Sequence, residues 1–243
     1  GATLADLDRF GEAKGALRKA LRLDPKYALA HLNLGLACAE TGRLQDARKH
    51  FDLHCSLAPE EEEGTTPRRA RHCLASTLLE FAEQAGSAQE SCRAFNLVSL
   101  ALHYDHSLDT VLHAADILFF DLDRPRLALL LYERALELAP DDLRCIDGIA
   151  SVCLYLGWRR KAMAWVERGL ALPRRSVKQP RHTNWVWETS GQDLYVVKAV
   201  LLCKKPEAAQ AAIAEGLKRF PRDRWLLQWR RQLREWAEEG RRT

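Results

Sequence analysis

The stretch "LALLLYERALELAPDD", residues 127–142, carries a small, large, small alternation that ends in a proline. Ala128, Tyr132 and Ala135 lie four and three residues apart, so a helix at about 3.6 residues per turn brings them to one face. Pro140 stops that helix, because it lacks the N–H donor of the next turn and its ring pushes the preceding residue towards extended backbone. Counted back from Pro140, the small residues stand 12 and 5 positions away and the large one 8.

The same ruler fits elsewhere. Pro25 follows Ala13, Leu17 and Ala20; Pro59 follows Ala47, Phe51 and His54, the histidine alone being out of class; Pro221 follows Ala209, Ile213 and Gly216. Two units have a degraded terminator: His106 follows Ala94, Val98 and Ala101, and Arg174, next to Pro173, follows Ala162, Val166 and Gly169. The terminators at 25, 59, 106, 140, 174 and 221 are separated by 34, 47, 34, 34 and 47 residues, the longer interval exceeding the shorter by 13. The chain therefore reads as a 34-residue array with two inserts. Such a period marks a repeat architecture whose units each need a neighbour to bury their apolar face.

Residues 30–60 spell out the unit. Leu32, Leu34, Leu36 and Cys38 make a first helix apolar, Gly42 sits in a turn, and Leu44, Ala47, Phe51 and Leu57 mark a second helix. Glycine just past a helix end takes the left-handed conformation that closes it. Gly35 and Ala47 are small enough for close approach of the two helices, with Phe51 filling the space between them.

The period, the Leu34-Gly35 pair, Gly42, Ala47, Phe51 and Pro59 resemble the tetratricopeptide (TPR) repeat, and the resemblance covers about nine-tenths of the chain. Units 28–61 and 109–142 match best, 143–176 is good, and 75–108 is weakest, with its turn glycine, Gly86, early. The resemblance implies an all-α, right-handed α-α superhelix, a single solenoid domain over 1–243. Its repeats would run at about 1–27 (partial), 28–61, 75–108, 109–142, 143–176 and 190–223, with inserts at about 62–74 and 177–189 and a capping helix at 224–240. Gly1 falls on the small-residue slot of a first helix, so the chain is expected to be a piece of a longer protein.

A TPR solenoid is expected to bind through a concave groove lined by the first helix of each unit. The phase assigns to it Leu32, Asn33 and Leu36; Leu79, Glu80 and Glu83; His113, Ile117, Phe120 and Asp121; Arg144, Asp147, Ser151 and Tyr155; and Leu194, Tyr195, Lys198 and Leu202. A wall of aromatic and charged groups suits an extended peptide or a partner helix, although Phe120, Tyr155 and Leu202 could equally pack on neighbouring helices. The TPR co-chaperones that hold acidic chaperone tails need cations where this chain has Leu32, Ser76 and Glu80, with Asn33 alone matching, so that activity is not expected.

Charge is uneven. Residues 1–173 hold 21 Lys/Arg against 25 Asp/Glu, and residues 174–243 hold 16 against 8. Part of the basic excess lies in "RRSVKQPRHTNWVWETS" (174–190), where Arg174, Arg175, Lys178, Arg181 and His182 stand with Trp185 and Trp187. Cations interleaved with aromatics can hold an acidic partner, a phosphorylated segment or single-stranded nucleic acid; the alternative is a loop whose tryptophans fold over the last unit. In residues 223–240, Trp225, Trp229, Leu233 and Trp236 form a stripe at helical spacing, expected to cover the last apolar face.

Chemistry finds little to build on. Gly-rich phosphate loops, GxSxG and HExxH are absent from the sequence, and the run Glu60–Glu63 reads as a solvated loop before a helix opened by Pro67. Seven cysteines, an odd number without CxxC spacing, read as reduced thiols of a cytoplasmic protein. His50 and His54 with Cys55, or His72 with Cys73, offer a sharper metal reading on chelating spacing. No stretch reaches the ~18 apolar residues of a membrane span. The expectation is a cytoplasmic adaptor, not an enzyme, needing no cofactor or metal and binding a peptide or helix of another protein, acidic if the basic insert takes part. The alternatives are a nucleic-acid-associated repeat protein using the basic C-terminal third, or a pilotin-like assembly factor of type IV pili.

Overall fold

The computed structural model describes residues 10–57, 67–172 and 192–239. The described residues form twelve α-helices, and the chain groups into two compact units, Gly1–Asp123 and Arg124–Thr243. The division falls in the turn in the middle of the fourth repeat. The basic insert, the run Glu60–Glu63 and the first nine residues lie outside the described residues.

The first unit holds α1 (Phe10–Leu23), α2 (Ala28–Glu40), α3 (Leu44–Leu57), α4 (Pro67–Ser87), α5 (Ser91–Tyr104) and α6 (Leu108–Asp116), which runs into a π-helical turn, Ile117–Asp121. The second holds α7 (Pro125–Leu138), α8 (Leu143–Tyr155), α9 (Arg159–Ala171), α10 (Gln192–Leu201), α11 (Pro206–Arg219) and α12 (Arg224–Glu239). The second helices of the repeats, α1, α3, α5, α7, α9 and α11, all start 15 residues before their terminators. Five of them end two residues before it, and in four of these the terminator is a proline, which disfavours the helical region in the residue before it. Proline opens α7 and α11, a place where its missing N–H costs nothing.

Burial follows the ruler. Ala47, Phe51, Ala94, Ala101, Ala128, Ala135, Ala162, Val166, Ala209 and Ile213 are fully buried, with Val98 and Tyr132 at 2% exposure. His54, the residue out of class, is half-buried, and its Nδ1 lies 3.1 Å from the Ala28 carbonyl oxygen. In two of the rulers the large residue is an aromatic packed against a glycine. A Cβ at Gly35 would stand 2.4 Å from the Phe51 ring, and one at Gly148 2.4 Å from the Tyr132 ring. Each missing methyl therefore lets an aromatic side chain lie on a helix backbone, where burial contributes about 1.5–3 kcal/mol.

The turns follow a ruler that the sequence only half displays. Gly42, Gln89, Asp123 and Gly157 all have positive φ (73°, 62°, 49° and 76°), and each stands 17 residues before its terminator. At three of them the helix closes in the same way. The Gly42, Gln89 and Gly157 amides donate to Ala39, Gly86 and Leu154, and those of Arg43, Glu90 and Trp158 donate to Cys38, Ala85 and Cys153. That pair of bonds satisfies two carbonyls left over at a helix C-terminus. Gly86 is thus not the turn glycine of the third unit, as its position suggested. It lies inside α4, where a Cβ would stand 2.8 Å from the Asp121 Cβ, and the left-handed position falls to Gln89.

In the second unit the end of the array is covered by α12, which buries Leu226 fully and Leu233 at 6% against Tyr195, Ile213 and Ala209. The tryptophan stripe covers it less than expected. Trp229 is half-buried, but Trp225 and Trp236 remain 48% and 50% exposed. Two leucines fit between neighbouring helices where an indole is too wide, so Trp225 and Trp236 pack edge-to-face on Trp229 at 6.5 and 6.2 Å instead.

Candidate functional site

Where the second helices present small residues to their neighbours, the first helices carry chemistry. In the first unit Asn33 on α2 is half-buried and its amide donates to the Leu29 carbonyl at 3.0 Å. Glu80 and Glu83 lie one turn apart on α4, the former exposed and the latter half-buried. His113 on α6 is half-buried, and burial depresses its pKa to about 4, so the imidazole is neutral at physiological pH.

The π turn closes through the Leu122 amide donating to Ile117 at 3.0 Å. Such turns insert a residue into a helix and are frequent at functional sites. Here it leaves Phe120 64% exposed with Asp121 beside it, and the Phe119 and Phe120 rings lie 4.7 Å apart. The close contact at Gly86 sets Asp121 against α4, one turn beyond Glu83. Burial, then the charges of Asp121, Glu80 and Asp116, push the Glu83 carboxyl up to about 7, and burial raises that of Asp121. Glu80, Glu83, Phe120 and Asp121 thus come together. Asp116 belongs with them, a residue the sequence reading passed over although it lies one turn from both His113 and Phe120.

The second unit is different in charge. On α8 the Arg144 guanidinium donates to Asp142, with Nη2 2.8 Å from Oδ2 and Nε 3.1 Å from Oδ1. Lys198 on α10 pairs with Glu215 at 3.1 Å. Asp147 is 9% exposed and Tyr195 1%, the latter packed within the core beside Phe220, whereas Tyr155 is 59% exposed. Tyr195, expected in a groove, is a core residue because the first helix of the last repeat is covered on this side by α11 and α12. Arg174, Arg175, Lys178, Arg181, Trp185 and Trp187 lie outside the described residues.

The histidines of the metal readings have other contacts. His50 and His54 engage different partners, His50 Nδ1 facing His31 Nδ1 at 3.1 Å and His54 the Ala28 carbonyl. His72 Nδ1 donates to Asp105 at 2.7 Å. Among the described residues no three His, Cys, Asp or Glu side chains are grouped to hold a metal ion. Cys38, Cys55, Cys145 and Cys153 are buried, and Cys73, Cys92 and Cys203 exposed.

The family model for the tetratricopeptide repeat matches residues 1–62, and the rulers extend its pattern through both units. The chain is an all-α helical-repeat protein whose first 62 residues match the tetratricopeptide repeat. The TPR fold is a helical-repeat scaffold for protein interaction, generally non-enzymatic. The peroxisomal targeting signal receptor of Candida albicans is 34% identical over 99 residues, a match covering 40% of this chain and 16% of that receptor. Solved TPR-like structures cover nearly the whole chain at low identity. A tetratricopeptide repeat protein from Parabacteroides merdae is 16% identical with a TM-score of 0.48, covering 95% of this chain and 94% of that one. YrrB, a TPR protein with an unusual peptide-binding site, is 17% identical with a TM-score of 0.47, covering 88% and 96%. Pseudomonas aeruginosa pilF is 13% identical with a TM-score of 0.46, covering 96% and 92%. No described helix is long and apolar enough to cross a membrane.

Proposed function

We propose that this protein is an adaptor that holds an extended peptide or a helix of another protein against the first helices of its repeats. The observation that carries the reading is that two aromatic side chains of the first helices and their continuation, Phe120 and Tyr155, stand 64% and 59% exposed, the former beside Asp121. Aromatic anchors supply most of the contact energy in such interfaces and charges supply register. A cytoplasmic location is part of the proposal and rests on the seven thiols, four of them buried.

The test is affinity capture from the source cell's lysate, treated with nuclease, comparing the unmodified chain with Phe120→Ala and with Tyr155→Ala. Both side chains are exposed, so the variants keep the helical circular dichroism of the parent. The reading requires a protein that survives nuclease and is lost in at least one variant. Equal recovery by all three, or recovery of nucleic acid instead, overturns it.

A further inference from the structure

We propose that the face built by Glu80, Glu83, Asp116, Phe120 and Asp121 in the first unit docks a cationic segment that carries an apolar side chain, a stretch of lysines or arginines around a leucine-like anchor. The inference rests on the groove-binding function above and names its partner's chemistry.

Three observations meet there. Phe120 is 64% exposed on a π turn, its ring tilted against that of Phe119 at 4.7 Å, so an aromatic surface stands open at the end of α6. Around it lie carboxylates from two elements, α4 and the α6–π segment, brought together by the close approach at Gly86. The charges acting on Glu83 are those of the Asp121, Glu80 and Asp116 carboxylates. Like charges held together by a fold raise the free energy of the unbound face, and a cation removes that cost. An ammonium or guanidinium can also lie against the exposed Phe120 ring. An acidic segment would meet repulsion here, and a purely apolar one would desolvate the Glu80, Glu83 and Asp121 carboxylates without supplying a counter-charge.

The experiment uses the whole chain and three fluorescein-labelled peptides of about twelve residues, long enough to span a groove in extended form. One interleaves Lys and Leu with Ser, the second has Glu for every Lys, and the third has Ser for every Leu. Fluorescence anisotropy reads affinity, and amide chemical shifts locate contact at residues 80–86 and 116–121. The Lys/Leu peptide should bind with shifts at that face, and weaken about ten-fold or more in Glu83→Gln/Asp121→Asn and in Phe120→Ala, but not in Glu133→Gln/Glu137→Gln on α7, which removes the same number of carboxylates elsewhere. Its affinity should rise between pH 6 and 8, as Glu83 ionises around 7, and lose that slope in Glu83→Gln. Binding of the Glu/Leu peptide at the same face, as tightly or more tightly, overturns the cationic partner while leaving the groove reading standing. Binding of the Lys/Ser peptide as tight as the Lys/Leu one overturns the anchor role of Phe120. Shifts from none of the peptides at this face overturn both the proposal and the groove reading for the first unit.

Discussion

Gly148→Ala sets two opposed effects of one methyl against each other. In a helix interior alanine is worth about 0.8–1 kcal/mol over glycine, so α8 on its own would gain. The new Cβ, however, would lie 2.4 Å from the Tyr132 Cε1 and 2.6 Å from its Cδ1 and Cζ, where unstrained carbons keep about 3.5–4.0 Å. Tyr132 is 2% exposed and cannot swing out; the helices must separate or the ring must leave its rotamer, at about 1–3 kcal/mol. With three ring atoms involved the upper end applies, leaving a net loss of about 2 kcal/mol, or roughly 4–8 °C in Tm at this chain length. The control is Gly15→Ala on α1, where nothing lies within 4 Å, and the same methyl should stabilise by about 0.5–1 kcal/mol. Urea titration followed by circular dichroism reads both, and adding Tyr132→Leu to Gly148→Ala should show a favourable coupling of at least about 1 kcal/mol. If Gly148→Ala proves as stable as the parent, close packing of the ruler residue on the glycine is not what joins α7 to α8.

Other consequences follow from the turns and the buried carboxylates. Gln89→Gly should raise stability by about 0.5–1 kcal/mol, the relief of left-handed strain exceeding glycine's greater unfolded-state entropy; a loss in the same urea titration would contradict the strain. Asp105 accepts from His72, Ser107 and Thr110 at 2.7, 2.6 and 2.5 Å, and Asp105→Asn should cost about 2–3 kcal/mol. Burial works to raise that carboxyl, but the three side-chain bonds outweigh it and hold it near 2. Its folded pKa is below the unfolded value, so its contribution is present above pH ~4 and is lost as pH falls towards 2, a fall that acid titration of Asp105→Asn should lack. Asp193 has the opposite sign. Burial, with Asp223 facing it, pushes it up to about 6, so the folded state holds a proton the unfolded chain has released. Stability should decline from pH ~4 to ~6 and stay flat in Asp193→Asn when thermal unfolding is followed across that range.

Periodicity made the repeats legible because it is written in residue size. A second helix that must pack on both sides needs alanine or glycine at two positions and a filler between them, and that demand survives in the sequence from Ala47 and Phe51 to Ala209 and Ile213. It also carried the first-helix phase far enough to name Glu80, Glu83, Phe120 and Asp121. The turns were harder to read, since left-handed backbone is announced by Gly42 and Gly157 but is also taken by Gln89 and Asp123, whose side chains give no such signal. Gly86 misled for the complementary reason: a glycine can mark absence of a side chain for a neighbour's sake as well as freedom of φ.

What the chain alone determined was the all-α repeat and the register of its helices, because helix period, glycine and proline act within a few residues of where they stand. Which first-helix residues face solvent was decided in three dimensions. Tyr195 and Tyr155 both lie on first helices, seven repeat positions apart, yet one is core and the other exposed, and α11 and α12 cover the first. The acidic face likewise needed α4 to meet a π turn some thirty residues further on. Burial and the pKa of a carboxyl depend on neighbours brought by packing, and those neighbours are distant in sequence.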